Sequence, residues 1–245
     1  MAREPLSAYT ETHRYRYCNE RGALRFEKLR FELLDPMSGL RSKTFRYRDP
    51  ATGRLQKPYD ADMLLYRLPE VREGIANGQT VHWCEGEKDA DALAGIGVVA
   101  TSHHQGAGRA HPLQASSISD ARRIRLWVDK DPEHPEVGAY DAWRRFTLLV
   151  DAGMDSGRIV FWRAPGPWRG RHAVKDPADM LAAGYSLDDA VQCGRDKVRE
   201  IAMRFTPAAG RKSGYEMWAN PAARTKARNV DPHYWSKRAR GDDRA

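Results

Sequence analysis

Three acidic side chains stand where β-strands would release them. Glu85 directly follows the apolar run VHWC (81–84), and Asp129 and Asp131 directly follow RIRLWV (123–128). Residues that follow parallel strands of one sheet emerge at a common edge, so these carboxylates can converge. Carboxylates that close repel and raise one another's pKa, which makes divalent cations their natural counter-charge. An all-oxygen ligand set favours Mg2+ or Mn2+ over zinc. The D-x-D spacing fits this chemistry, because residues two apart in extended chain point the same way while Lys130 turns aside. Each signal alone has a plainer reading. An Asp-rich turn before proline is a common surface loop, and Glu85 could simply stabilise the start of a helix. Together they favour metal-assisted chemistry.

Weaker candidates surround this set. Asp89 lies one helical turn beyond Glu85 and can face the same site, whereas Asp91 is expected to be solvated. The loop TSHHQGAGRAH (101–111) contains two glycines and could approach a phosphate, with Arg109 as a contact. His103 and His104 could ligate metal, but a solvated loop is the stronger expectation. Arg46 and Arg48, with Lys43 nearby, would line a strand beside Phe45 and Tyr47 as a nucleotide or template track. A solvated strand face over an aromatic row explains them equally well. Lys88 and Lys175, next to acidic positions, join the candidate nucleotide contacts.

The elements that must position these groups are legible from periodicity. Residues 14–48 alternate as antiparallel strands, with turn signals at Glu20-Arg21-Gly22 and Asp35-Pro36. A helix is expected from Pro69 to Gly78. Strands and helices then alternate: VHWC, EKDADALAGIG, VVATS, a short helix near 112–120, RIRLWV, YDAWRRFTLLVDAG and RIVFWR, followed by KDPADMLAAG and a helical SLDDAVQ. That order predicts an α/β fold with a mainly parallel sheet covered on both faces. The expected organisation is a β-rich, basic N-terminal domain over 1–78, a catalytic domain over 79–194, and a basic C-terminal helix and tail over 195–245.

The net charge of +8 is unevenly spread. Lys+Arg against Asp+Glu is 15 to 11 over residues 1–80, 13 to 16 over 81–194 and 13 to 6 over 195–245. An acidic centre between basic flanks suits a metal site between surfaces that hold a polyanion. In the tail, Arg224, Lys226, Arg228, Lys237, Arg238 and Arg240 with Tyr234 and Trp235 suit a nucleic-acid strand or a protein partner. Three scattered cysteines make neither a disulfide framework nor a zinc ribbon. No apolar run of membrane-spanning length occurs, so no membrane association and a cytoplasmic location are expected.

CEGEKDADAL (84–93) and LWVDKDPEHPEVGAYDA (126–142) resemble the two signature motifs of the Toprim family, found in topoisomerases, bacterial-type primases, recombination mediators and OLD-type nucleases. The resemblance spans roughly 79–185 and implies a Toprim fold, Rossmann-like, with Glu85 as general acid or base and Asp129 and Asp131 on Mg2+. Asp89 and KDPADML (175–181) are similar to further segments of primase-like Toprim proteins of phages and mobile elements, which would bring Asp176 into the acidic cluster. The expected activity is primase-like nucleotidyl transfer on DNA, mostly single-stranded, from NTPs or dNTPs. A metal-dependent nuclease or nickase on the same carboxylates, or a non-catalytic nucleic-acid-binding accessory, are the alternatives. A topoisomerase would need a large strand-gating domain with a nucleophilic tyrosine. The absence of G-x-x-x-x-G-K-[ST] and of a zinc module implies a separate helicase or polymerase partner.

Overall fold

The computed structural model describes residues 6–34, 41–58, 63–131 and 134–205. The alternating N-terminal residues form an antiparallel sheet of β1 (Thr10–Cys18), β2 (Leu24–Leu34) and β3 (Arg41–Arg48), with β2 in the middle. Its first turn is closed by Asn19, whose side-chain oxygen accepts from the amides of Arg21 and Ala23, while Gly22 supplies the left-handed φ of +79°. Tyr15, Tyr17 and Phe26 form the buried face, with the Tyr17 and Phe26 rings stacked at 4.5 Å. The Asp35-Pro36 turn and the basic tail beyond residue 205 lie outside the described residues.

After α1 (Leu68–Ala76), the chain builds β4 (Val81–Cys84), α2 (Glu87–Ala94), β5 (Ala100–Ser102), α3 (Pro112–Ser116), β6 (Ile124–Trp127), α4 (Pro135–Asp151) and β7 (Ile159–Arg163). It continues through a small hairpin of β8 (Trp168–Arg169) and β9 (His172–Ala173), then α5 (Pro177–Ala182), β10 (Val191–Cys193) and α6 (Arg195–Ala202). The central sheet has the order β10-β7-β6-β4-β5. β7, β6, β4 and β5 are parallel, and β10 pairs antiparallel with β7.

Both faces of that sheet are covered, which is why β4, β6 and β7 are dominated by large apolar residues. On one face Trp83, Ile124 and Leu126 pack against Ala142, Phe146 and Leu149 of α4. On the other, Cys84 and Trp127 meet Ala90 and Leu93 of α2 and Met180 of α5. Each such large apolar side chain contributes about 1.5–3 kcal/mol by leaving water.

Two elements differ from the sequence expectation. SLDDAVQ is not a helix. Ser186 and Asp189 bond reciprocally around one short 3-10 turn, Leu187–Asp189, and the open edge of β7 then captures Val191–Cys193 as a strand. α4 begins at Pro135, five residues before Tyr140, because proline suits a first helical turn whose amides lack partners anyway. Among the described residues no helix is long and apolar enough to cross a membrane.

Candidate active site

β4 and β6 are parallel neighbours, with Trp83 opposite Leu126, so Glu85 and Asp129 leave the sheet at one edge. Asp129 is pushed well above the usual carboxylate range, first by burial and then by the charges of Glu85, Asp89 and Asp176. Glu85 rises to about 7 through burial and the charge of Asp141, against the pull of His103, Arg145 and Lys43. Asp89 is also raised well, by burial and then by Asp176. These carboxylates therefore sit in one another's field. Asp89 and Asp176 additionally serve the first turn of α5, accepting from the amides of Ala178 at 3.3 Å and Asp179 at 2.7 Å. Asp131 is exposed, and its Oδ1 accepts the His134 amide at 3.3 Å.

The five acidic candidates for metal do not stand as one cage: among the described residues no group of three or more His, Cys, Asp or Glu could hold a metal ion as placed. Mg2+ commonly takes only one or two protein carboxylates and completes its shell with water and substrate phosphates. The Oδ1 of Asp129, buried with no hydrogen-bond partner, beside Glu85 fits that mode.

The sheet edge is braced from beneath by α4. Arg145, fully buried, donates to the carbonyls of Trp83 and Trp127, the latter at 2.7 Å, and so ties together the ends of β4 and β6. Its charge is balanced by Asp141 one turn earlier, at 2.8 Å. Asp141 also accepts the Gly108 amide at 2.7 Å and lies 3.4 Å from His103 Nε2. Gly138 lets α4 approach closely: a Cβ there would lie 2.2 Å from the Asp129 carbonyl oxygen.

The fold is similar to those of solved primase structures at low sequence identity. The E. coli primase catalytic core gives a TM-score of 0.52 at 14% identity, covering 87% of this chain and 63% of that one. A DnaG primase catalytic domain bound to single-stranded DNA gives 0.50 at 13%, covering 91% and 68%. The fold is that of a primase catalytic core. A DNA primase domain from Pseudomonas aeruginosa aligns at 16% identity and a TM-score of 0.48, and this chain spans 56% of its length. No protein-family model matches the sequence, and neither does any curated protein.

Within this primase-core fold the basic candidates divide. Lys43 is exposed on β3 and its charge reaches Glu85; Arg109, also exposed, acts on the Tyr47 hydroxyl. Arg48 is committed to Glu27, with Nε donating at 2.7 Å, and Arg46 donates to Thr44 Oγ1 and the Phe45 carbonyl, each at 2.8 Å. Lys88 pairs with Asp179 at 3.1 Å. Lys175 is exposed, and its carbonyl accepts the Lys130 amide at 3.0 Å.

The loop after β5 is not solvated as expected. His103 and His104 are both buried: His103 lies against Trp83 and Asp141, whereas the N-terminal sheet packs over His104, with the Tyr47 hydroxyl donating to its carbonyl at 2.9 Å and Tyr17 and Phe26 edge-on to its ring. The Gly108 amide is not free to receive phosphate, since it is taken by Asp141. Asp91 is half-exposed but partnered, by the Tyr66 hydroxyl at 3.3 Å and Arg67 at 3.5 Å.

Sequence reasoning passed over a second buried charge site. Glu87 accepts from the Tyr17 hydroxyl at 2.6 Å and from Lys28 Nζ at 2.7 Å, joining the N-terminal sheet to α2. The signal was a lysine in the middle of a strand whose neighbours Phe26 and Leu29 are apolar. For Arg145 and Asp141 it was charge at positions that the helical period of α4 assigns to its buried face.

Glu85 also makes stability depend on pH. Its proton is held up to about 7 in the folded chain against 4.5 when unfolded, so this stabilisation is complete below 4.5 and lost as pH rises through 7. His82 and His104, lowered from 6.5 to about 3 by burial, act with opposite sign, and their stabilisation is lost only as pH falls below 6.5. At pH 6.5 both histidines are still about half-protonated in the unfolded chain, so raising the pH from about 6.5 to about 8 in the absence of divalent cations costs roughly 1 kcal/mol through Glu85 while the two histidines return a similar amount. The Glu85 share is read as the difference between urea titrations of the unaltered protein and of Glu85→Gln at the two pH values: the variant should gain roughly 1 kcal/mol more than the unaltered protein over this range. Parallel profiles would contradict the raised pKa.

Proposed function

We propose that this chain is a primase-like nucleotidyltransferase that joins NTPs or dNTPs on a single-stranded DNA template with Mg2+ or Mn2+. The observation that carries the reading is the emergence of Glu85 and Asp129 from adjacent parallel strands into one shared electrostatic field, on the fold of a primase catalytic core. Glu85 and Asp129 are the proposed metal-holding pair, with Asp131, Asp89 and Asp176 as further oxygen donors around them. A bound divalent cation would supply Lewis-acid stabilisation of the charge that develops on the phosphoryl oxygens.

The remaining steps belong to the chain itself. Glu85, which titrates near 7 in the metal-free chain, is suited to accept the proton of an attacking 3′-hydroxyl as that oxygen displaces pyrophosphate, and to pass the proton on to solvent. Lys43 and Arg109, exposed beside this edge, neutralise phosphates of the incoming nucleotide or template; Lys88, Lys175, Arg46 and Arg48 lie further along the same proposed track. The Toprim resemblance associates such chains with phages, plasmids and mobile elements, and the proposal places this one in their replication, in the cytoplasm, with a separate helicase or polymerase.

The test is incubation of purified protein with single-stranded DNA, NTPs or dNTPs, and Mg2+ or Mn2+. New short oligonucleotides are expected, and Glu85→Gln should lower their formation by about 100-fold or more with an unchanged circular dichroism spectrum. A shortened template with no new product would replace the proposal with a nuclease. Full activity in Glu85→Gln would remove the glutamate from the mechanism.

A further inference from the structure

Between β7 and α5 the chain makes a detour that the carboxylate site does not require. β8 and β9 form a minimal hairpin, Trp168 paired with Ala173 and Arg169 with His172. Its two-residue turn starts with Gly170 at φ +58°, which suits the first central position of a type II′ turn. The stem is pinned to the loop that begins at Asp129. Lys130 Nζ donates to the Pro165 carbonyl at 3.1 Å and also to that of Gly166, while the Lys130 amide donates to the Lys175 carbonyl at 3.0 Å. The outgoing arm runs directly into Asp176, so the hairpin rises from the same sheet edge as Glu85 and Asp129.

Its two sides differ. The Arg169 guanidinium lies 4.3 Å over the Tyr185 ring and donates to the Gly184 carbonyl at 3.0 Å, which holds one face down. Trp168, adjacent in the strand, therefore points the other way and is 59% exposed. Among the described residues it is the one aromatic in the set of exposed large apolar side chains. An indole left in water costs free energy unless a partner covers it.

The surroundings indicate the partner. From Arg163 to Lys175 the chain carries Arg163, Arg169, Arg171 and Lys175 and no acidic residue. Arg163, Arg171 and Lys175 are exposed. A polyanion neutralises those cations, and an exposed indole among cations is the pairing that a flexible strand with unstacked bases satisfies.

We propose that the β8–β9 hairpin is a contact for single-stranded nucleic acid, with Trp168 stacking on a base and Arg163, Arg171 and Lys175 neutralising the phosphates on either side. This rests on the nucleic-acid reading above and adds the strand's path past the carboxylate edge. A duplex keeps its bases stacked and offers Trp168 nothing to cover it.

The test is fluorescence anisotropy of a labelled oligo(dT) and of a labelled duplex with the full chain, in parallel with the template assay above. Trp168→Ala should weaken oligo(dT) binding about tenfold and leave duplex binding unchanged, with Trp168→Phe retaining most of the affinity. Arg171→Ala should lower the slope of log affinity against log salt by about one for oligo(dT). Unchanged oligo(dT) affinity in Trp168→Ala, or no binding by the intact chain, overturns the inference and assigns the indole to a protein partner. Equal losses on duplex and oligo(dT) overturn it too. Because binding is read apart from turnover, Trp168-dependent binding without new oligonucleotides would keep the hairpin contact and discard the nucleotidyl-transfer reading.

Discussion

Arg145→Met is expected to destabilise the protein by about 3–5 kcal/mol, because it leaves the Asp141 carboxylate buried without its counter-charge. Asp141 would keep only the Gly108 amide and the nearby His103 ring. The same substitution frees the carbonyls of Trp83 and Trp127, whose shared donor holds the ends of β4 and β6 together. Replacing the pair jointly, Asp141→Asn with Arg145→Met, should recover a large part of the loss, since the unpaired charge and not the missing attraction dominates the single variant. Urea unfolding of the single and double variants measures both numbers. A loss below about 1 kcal/mol for Arg145→Met would mean that water reaches Asp141 and that α4 does not brace the edge.

The second large effect lies at the seam between the N-terminal sheet and α2. Lys28→Met should cost about 3–5 kcal/mol by stranding Glu87, whose side chain is 5% exposed, with only the Tyr17 hydroxyl as a partner. Unfolding should also change in kind. With Lys28 present, the two sheets are predicted to melt together; without it, the tyrosines of β1 should lose their asymmetric environment ahead of the helices. Comparing near- and far-ultraviolet circular dichroism on one denaturant series separates the cases, and coincident transitions in Lys28→Met would show that the aromatic contacts alone couple the units. The double variant Lys28→Met, Glu87→Gln should restore much of the midpoint.

The parallel strands were legible in the sequence because both faces are buried. VHWC and RIRLWV are dominated by large apolar residues for that reason, with only His82, Arg123 and Arg125 breaking the runs, and the acidic residues after them followed from strand polarity alone. The first N-terminal hairpin was legible through alternation and the turn signal at Glu20-Arg21-Gly22. What escaped depends on contacts between distant segments. Nothing local to His103 and His104 announces that Asp141 and Trp83 enclose the first or that a sheet from residues 10–48 covers the second. A charged pair in the middle of α4 reads as a solvated ion pair until two strand-end carbonyls are seen to need donors. β8 and β9 span two residues each among prolines and glycines, too short for any period, and SLDDAVQ has a helix-starting pattern that the free edge of β7 overrides. Asp131 looked equivalent to Asp129 by spacing, but the start of α4 draws it to the His134 amide.

The outermost strands of the central sheet, β5 and β10, are three residues each. On the β5 side Leu65 bridges to His103, and the Tyr66 amide donates to the Ser102 carbonyl at 2.9 Å, so much of that margin is already taken. A neighbouring copy finds almost no ladder to extend on either side. Edge-to-edge pairing of copies through the central sheet is thereby closed off, and the longer margins, β1 and β3, belong to the N-terminal sheet.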